Sequence, residues 1–419
     1  MKRKRLLLVT SVAALAVAIP VSMLTVGNAN AETTPAQPTQ TTNTRVQPPP
    51  APPTVVRIPQ NAPAISSKQK AIDAENAKQG LPKGCSEVFK PNKKITCMEP
   101  AKSEAPTPTV AGVVPHHLDM PPLCNSAGNQ MGVWATRSDN CGRYKWYVHM
   151  FVNRKKMGSF TITAYQHSYT LRGEKNWMVD NWFLFRDFQG IAVGGGLISV
   201  FNYSRGAGYD TITNPAGVPV QYGPASNDFK QTVKMLPRIN GRNQFNSSDL
   251  RVQFGLLPFA SETPVMGNVQ TIPMRCDTML SFRIPGCVVP EFVPTFQLSV
   301  SNSKVSESAW FIWDTQYQGA DHWGWYGKGQ ALSRTTDVKQ INKNRRTACP
   351  ASRKRPKGKS CDEFPFASSR QGAGFVGTKR AKSRMINAKH NSAAGTLIGS
   401  FYRSQRVFNH DRFWVSITR

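Results

Sequence analysis

The sequence predicts a multidomain chain: an all-β, sandwich-like module followed by a small α+β domain. Three observations carry this reading. Short stretches rich in β-branched and aromatic residues, punctuated by Gly, Asn and Asp, crowd residues 122–300. After residue 300, capped helical patterns alternate with strand-like pieces. Ahead of residue 66 the chain is first apolar and then Pro-rich, a composition that builds no core. With 39% hydrophobic residues, 9 Trp and 21 Phe in 419 positions, wholesale disorder is excluded. The net charge of +29 repels itself in a compact state and suits a protein that meets a polyanion: nucleic acid, an acidic wall polymer or an anionic membrane.

The elements follow in order. Lys2 to Arg5 form a basic start, an apolar stretch runs from Leu6 to about Val26, and Ala29-Asn30-Ala31 gives a small-x-small cleavage pattern. Residues 1–31 therefore read as a cleaved secretory signal peptide, the alternative being an uncleaved membrane anchor. Residues 32–65, with the run Pro48-Pro49-Pro50-Ala51-Pro52-Pro53, read as a disordered Pro/Thr-rich linker. Residues 66–121 read as a short disulfide segment, with a helix at 68–79, and a second linker. Strands are expected near 144–152, 159–165, 182–185, 197–203, 250–256 and 269–274 in a β-rich domain spanning 122–300. In the domain spanning 301–419, a helix is expected over 306–318 and another from the cap at Thr336 or Asp337 to about Arg346. A strand is expected at 413–417.

Eight cysteines, all after the signal, fit an exported protein. They allow 105 pairings. The nearest-neighbour set Cys85–Cys97, Cys124–Cys141, Cys276–Cys287 and Cys349–Cys361 is favoured because each closes a short loop at low entropic cost. No Cys-x-x-Cys and no finger-like His spacing supports zinc.

Positive charge concentrates at the end. Residues 331–419 hold 20 Lys and Arg against 4 Asp and Glu, the charge density a phosphate-binding surface needs. The four acids are Asp337, Asp362, Glu363 and Asp411. A carboxylate among cations is expected to stay ionised, ready to bind a hard divalent metal or take a proton from water. The plain alternative is a salt-bridged acid in a basic domain.

The stretches Asn344-Arg345-Arg346-Thr347-Ala348-Cys349 and Ser360-Cys361-Asp362-Glu363-Phe364-Pro365-Phe366-Ala367-Ser368 resemble the NucA/NucB family of secreted bacterial deoxyribonucleases. Asn391, Gly395, Gly399-Ser400-Phe401-Tyr402, Arg406-Val407 and Asp411-Arg412-Phe413-Trp414-Val415 continue the similarity. Arg275-Cys276-Asp277 and 285–290 look like the lead-in of longer actinobacterial members. The resemblance spans about 270–419 and is dense from about 330.

It implies an endonuclease domain of little sequence specificity with a ββα-metal-like site, acting on extracellular DNA as a monomer. Asp362 matches the family's catalytic acid position, as general base. Glu363 stands beside it, as catalytic partner or metal ligand. Asn391 matches the Asn on the metal-bearing helix, with Asn387 as a substitute. The implied cofactor is Mg²⁺ or Mn²⁺. Arg345, Arg346 and Arg406 are the implied phosphate contacts, and a Cys349–Cys361 bridge would fix the strand of Asp362 against the helix of Arg345.

Two departures stand out. Ala309-Trp310-Phe311-Ile312 lacks the family's His, and no acid lies between Glu363 and Asp411. The competing readings are a catalytically inactive DNA- or polyanion-binding protein, and a β module that binds cell-wall carbohydrate with a basic anchor. The tryptophans 310, 313, 323 and 325 read as core packing, the alternative being stacking on bases of single-stranded DNA; His390 and His410 read as surface groups, the alternative being a catalytic base. The run 353–359 reads as a DNA-contacting loop.

Overall fold

The computed structural model describes residues 46–48, 53–58, 66–101, 120–126, 130–225 and 228–419. The expected signal peptide and most of the expected linker at 32–65 lie outside the described residues.

The first lobe comprises β1 (Val56–Ile58), α1 (Ser67–Ala77), β2 (Lys94–Pro100), α2 (Pro122–Ser126), β3 (Gly132–Ala135), β4 (Asp139–Val152), β5 (Lys155–Thr170) and β6 (Trp177–Gly190). It continues through β7 (Gly196–Arg205), β8 (Ala207–Ile212), β9 (Val220–Tyr222), β10 (Phe229–Pro237), β11 (Phe245–Pro258), β12 (Val265–Gln270), β13 (Met274–Asp277) and β14 (Gly286–Val288). One antiparallel sheet has the order β1-β3-β4-β5-β6-β10-β8, with β2 also on β4; a second has the order β14-β13-β11-β7-β9, with β12 on β11.

Alternation explains the packing. Trp146 and Val148 of β4, Phe160 and Ile162 of β5, and Val179 and Phe183 of β6 each point to one face. They meet Val200, Val252 and Phe254 from the other sheet, and Phe254 sits edge-on to both Trp146 and Phe183. Each such side chain contributes roughly 1.5–3 kcal/mol on burial, so this layer is the main source of the lobe's stability.

The sequence boundaries need three corrections. Val56–Ile58, expected in a disordered linker, forms β1 on the edge of the large sheet, since β-branched residues there pair with β3. Lys94–Pro100, expected in a separate disulfide segment, pairs with β4 as β2, and the Cys85–Cys97 bridge holds α1's segment to it. The expected strand at 269–274 is the junction of two strands, β12 and β13. Just ahead of the expected boundary at 301, β15 (Thr295–Ser299) pairs in parallel with the last strand of the chain.

The second lobe continues after β15 with α3 (Ser306–Gln318), β16 (Leu332–Ser333), α4 (Val338–Ala348), β17 (Lys359–Phe364), α5 (Ala373–Val376), β18 (Lys382–Asn387), α6 (Ala388–Ser404) and β19 (Arg412–Thr418). β15, β19 and β16 form one sheet and β17 and β18 an antiparallel pair. Phe296, Phe311, Trp313, Phe364, Phe413 and Val415 share one core. Trp313 and Trp323 are buried in it, and Trp310 and Trp325 pack on its margin, so the tryptophans are core residues. All four nearest-neighbour disulfides are present.

Candidate active site in the C-terminal lobe

β17 positions the acids. Along it, Ser360, Asp362 and Phe364 fall on one face and Cys361 and Glu363 on the other. Phe364 is wholly buried in the core, which fixes the strand's rotation. α6 follows β18 without a break, its first turn capped by the Asn387 side chain, which accepts the Lys389 N–H. One turn on, Asn391 Nδ2 donates to Ser360 Oγ and to Cys361 O, both at 3.0 Å. This docks α6 onto the stretch of β17 just ahead of Asp362. On the other side, Cys349 at the end of α4 is bridged to Cys361, and Glu363 Oε2 lies 3.7 Å from Cys349 Sγ. The local order is therefore strand, strand, helix, with α4 stapled alongside.

A cavity of about 640 Å³ opens between these elements, and Asp362, Glu363, Asn391, Arg345 and Arg346 all line it. Five of the six residues singled out from sequence thus converge. Arg406 does not. Its guanidinium is buried against Asp277, donating to both carboxylate oxygens and to Ile284 O, so it holds the two lobes together and lies away from the cavity. Asn387 is occupied as the cap of α6. Neither His390 nor His410 lines this cavity: the His390 ring accepts the Glu307 N–H, and His410 pairs with Arg370.

The charge state also differs from expectation. Burial pushes Asp362 up to about 6, although the Ser308 hydroxyl beside it and the Glu363 N–H favour its ionised form. Burial, and then the neighbouring charge of Asp362, push Glu363 up to about 7, with Arg345 pulling the other way. Both carboxylates keep some solvent contact through the cavity mouth. The surrounding cations do not offset this effect of burial, because several are engaged elsewhere: Arg353 on Ala348 O and Ser383, Arg384 on Asp314, Lys359 on Glu307. A coupled pair of carboxyls with pKa values near neutrality is suited to proton transfer.

Sequence reasoning missed Ser308, Ser360, Arg355 and Tyr402. Ser360 had a signal, two positions before Asp362 on the same strand face. Arg355 lines the cavity while donating to Cys349 O and Pro350 O at the end of α4, and nothing distinguished it within the run 353–359. Arg353 and Lys359 of that run are engaged with the protein, so the run is only in part an open basic loop.

Among the described residues no group of three or more His, Cys, Asp or Glu comes together in a way that could hold a metal ion. The donors at the cavity are two carboxylates and one amide, whose N–H₂ is spent on β17. This set does not fit zinc or a calcium cage. It fits a Mg²⁺-like ion, which takes one or two carboxylates and completes its shell with water and substrate oxygens.

No curated protein and no solved structure matches the chain. Residues 326–416, which include α4, β17, β18 and α6, match the family model described as Deoxyribonuclease NucA/NucB, so the C-terminal end of the chain carries a domain of that family.

Proposed function

We propose that the chain is an exported, metal-dependent endonuclease that hydrolyses DNA phosphodiester bonds with little sequence preference. The observation that carries this is the convergence of Asp362, Glu363, Asn391, Arg345 and Arg346 on one cavity inside the family-matched segment. Four disulfides accord with an oxidising, extracellular setting, and the N-terminal sequence pattern supports export.

Arg345 and Arg346 would hold the phosphodiester by its non-bridging oxygens at the mouth of the cavity. Asp362, with a pKa near the working pH, would take a proton from water as its oxygen attacks phosphorus. Asn391 and Glu363 would hold a Mg²⁺ or Mn²⁺ ion beside it. When bound, such an ion supplies positive charge to the leaving oxygen. Ser308 beside the carboxylate and the packed strand under it keep Asp362 in place.

The test is digestion of plasmid DNA by the purified mature protein with EDTA and then with Mg²⁺ or Mn²⁺ restored. Cleavage that stops and resumes supports the reading. Cleavage unaffected by EDTA removes the metal from it. DNA retention without cleavage in any divalent ion would favour the inactive-binder reading, for which the sparse donor set is the specific support.

A further inference from the structure

A second cavity lies at the other end of α4. It is lined by Thr335, Asp337, Gln340, Arg370, Phe375, Asn409 and His410. Phe375, on the short helix α5, is 69% exposed, an apolar ring left in solvent at the edge of this cavity. Arg370 is exposed and lies against the His410 ring nitrogen Nδ1. The one acid, Asp337, is engaged in capping α4 through the Lys339 N–H, 2.9 Å away.

The two cavities are joined by α4. Asp337 and Gln340 at its start line the second, and Arg345, Arg346 and Cys349 at its end line the first. Between them Lys339, Lys343 and Arg346, at spacings of four and three, share one exposed face of the helix. Val338–Ala348 carries four basic residues and no acid. Eleven residues of helix span about 16 Å, the length of about five nucleotides along one strand of a duplex.

Resting on the nuclease reading of the first cavity, we propose that a DNA strand held at Asp362 passes over the basic face of α4 and places a base on the Phe375 ring, with Arg370 on the adjoining phosphate. An exposed ring beside an arginine is what a sequence-tolerant stacking subsite requires, because every base presents a π-face. The site is a remote substrate-binding one and touches no reacting atom.

The experiment compares Phe375→Ala, Phe375→Trp and Arg370→Ala with wild type on a trinucleotide and on a single-stranded 12-mer. Phe375→Ala is expected to raise KM on the 12-mer about tenfold, the size of one lost base stack, with kcat unchanged. It should leave the trinucleotide unaffected, and Phe375→Trp should restore the 12-mer. Equal kinetics of wild type and Phe375→Ala on the 12-mer, or an equal loss on both substrates, would overturn the subsite. Filter retention of the same 12-mer by Asp362→Ala, with and without Phe375→Ala, separates the two readings. If wild type cleaves nothing but retention drops with the ring, the subsite stands and the nuclease reading falls. If cleavage is robust and both KM and retention ignore the ring, the subsite falls alone.

Discussion

A largely buried carboxyl on β17, beside a second carboxyl, holds its proton more firmly than a free aspartate. The sign of the consequence follows. Folding raises Asp362 from 3.8 to about 6 and Glu363 from 4.5 to about 7, so the folded state binds more protons between those limits. The contribution of the pair to stability is fully present below about pH 4 and is lost as pH rises through 6 and 7. Asp362→Asn should therefore be more thermostable than wild type at pH 8 and no more stable at pH 4, as differential scanning calorimetry at the two pH values would register. Catalysis runs the other way: the base must be unprotonated, so the rate should fall as pH drops through the range in which Asp362 takes up its proton, a range that a bound divalent ion lowers. A rate that did not fall at any acid pH at which the protein stays folded would contradict a titrating base. The convergence on Asp362 was legible only through resemblance, since nothing in the local spacing links residues 345, 362 and 391. Arg406 illustrates the limit: in a basic segment a buried lobe-joining arginine reads the same as a phosphate ligand, because its partner Asp277 lies 129 residues away.

Elements differed in how far the sequence revealed them. α3 begins and ends where its pattern predicts, and α4 starts at its Asp337 cap, because caps and apolar spacing are local signals. β17 and β18 are polar strands, KSCDEF and KSRMIN, with little alternation, and α6 and α3 pack against the pair they form. β15 is not visible in the sequence pattern, because its partner, β19, lies more than a hundred residues away. The staple between α4 and β17 gives a prediction at this scale. The double variant Cys349→Ala, Cys361→Ala should lose about 2–4 kcal/mol of stability. It should also lose activity at temperatures where it is still folded, since Arg345 and Glu363 sit on the two stapled elements. Urea denaturation and initial rates measured together would show both effects; unchanged rates would mean that packing alone aligns them.

For the molecule as a whole, the junction of the lobes is the feature the sequence concealed. Arg275 makes a two-pronged pair with Asp411 at 2.8 and 2.7 Å, and Arg137 donates to Gln405 O and Arg406 O. Burial works against ionisation of Asp411, but Arg275 outweighs it and holds the carboxyl below the usual range. The loop gripped in this way, 405–411, leads from α6 into β19, so the β-rich lobe braces the loop that closes the C-terminal lobe. Arg406→Ala leaves Asp277, with 0% side-chain exposure, unpaired. It should cost about 3–5 kcal/mol in chemical denaturation. Arg345→Ala, at an exposed position, should leave stability unchanged and reduce the slope of log affinity for DNA against log salt by about 1. The reverse pattern would return Arg406 to the DNA interface. The role of Asp362 in the acidic cavity is decided by digestion of DNA in Mg²⁺ or Mn²⁺ by wild type beside Asp362→Ala, with circular dichroism confirming that both are folded. The variant should keep its fold and DNA binding and lose cleavage by at least about a hundredfold; a folded variant that cuts at the wild-type rate would remove Asp362 from the chemistry.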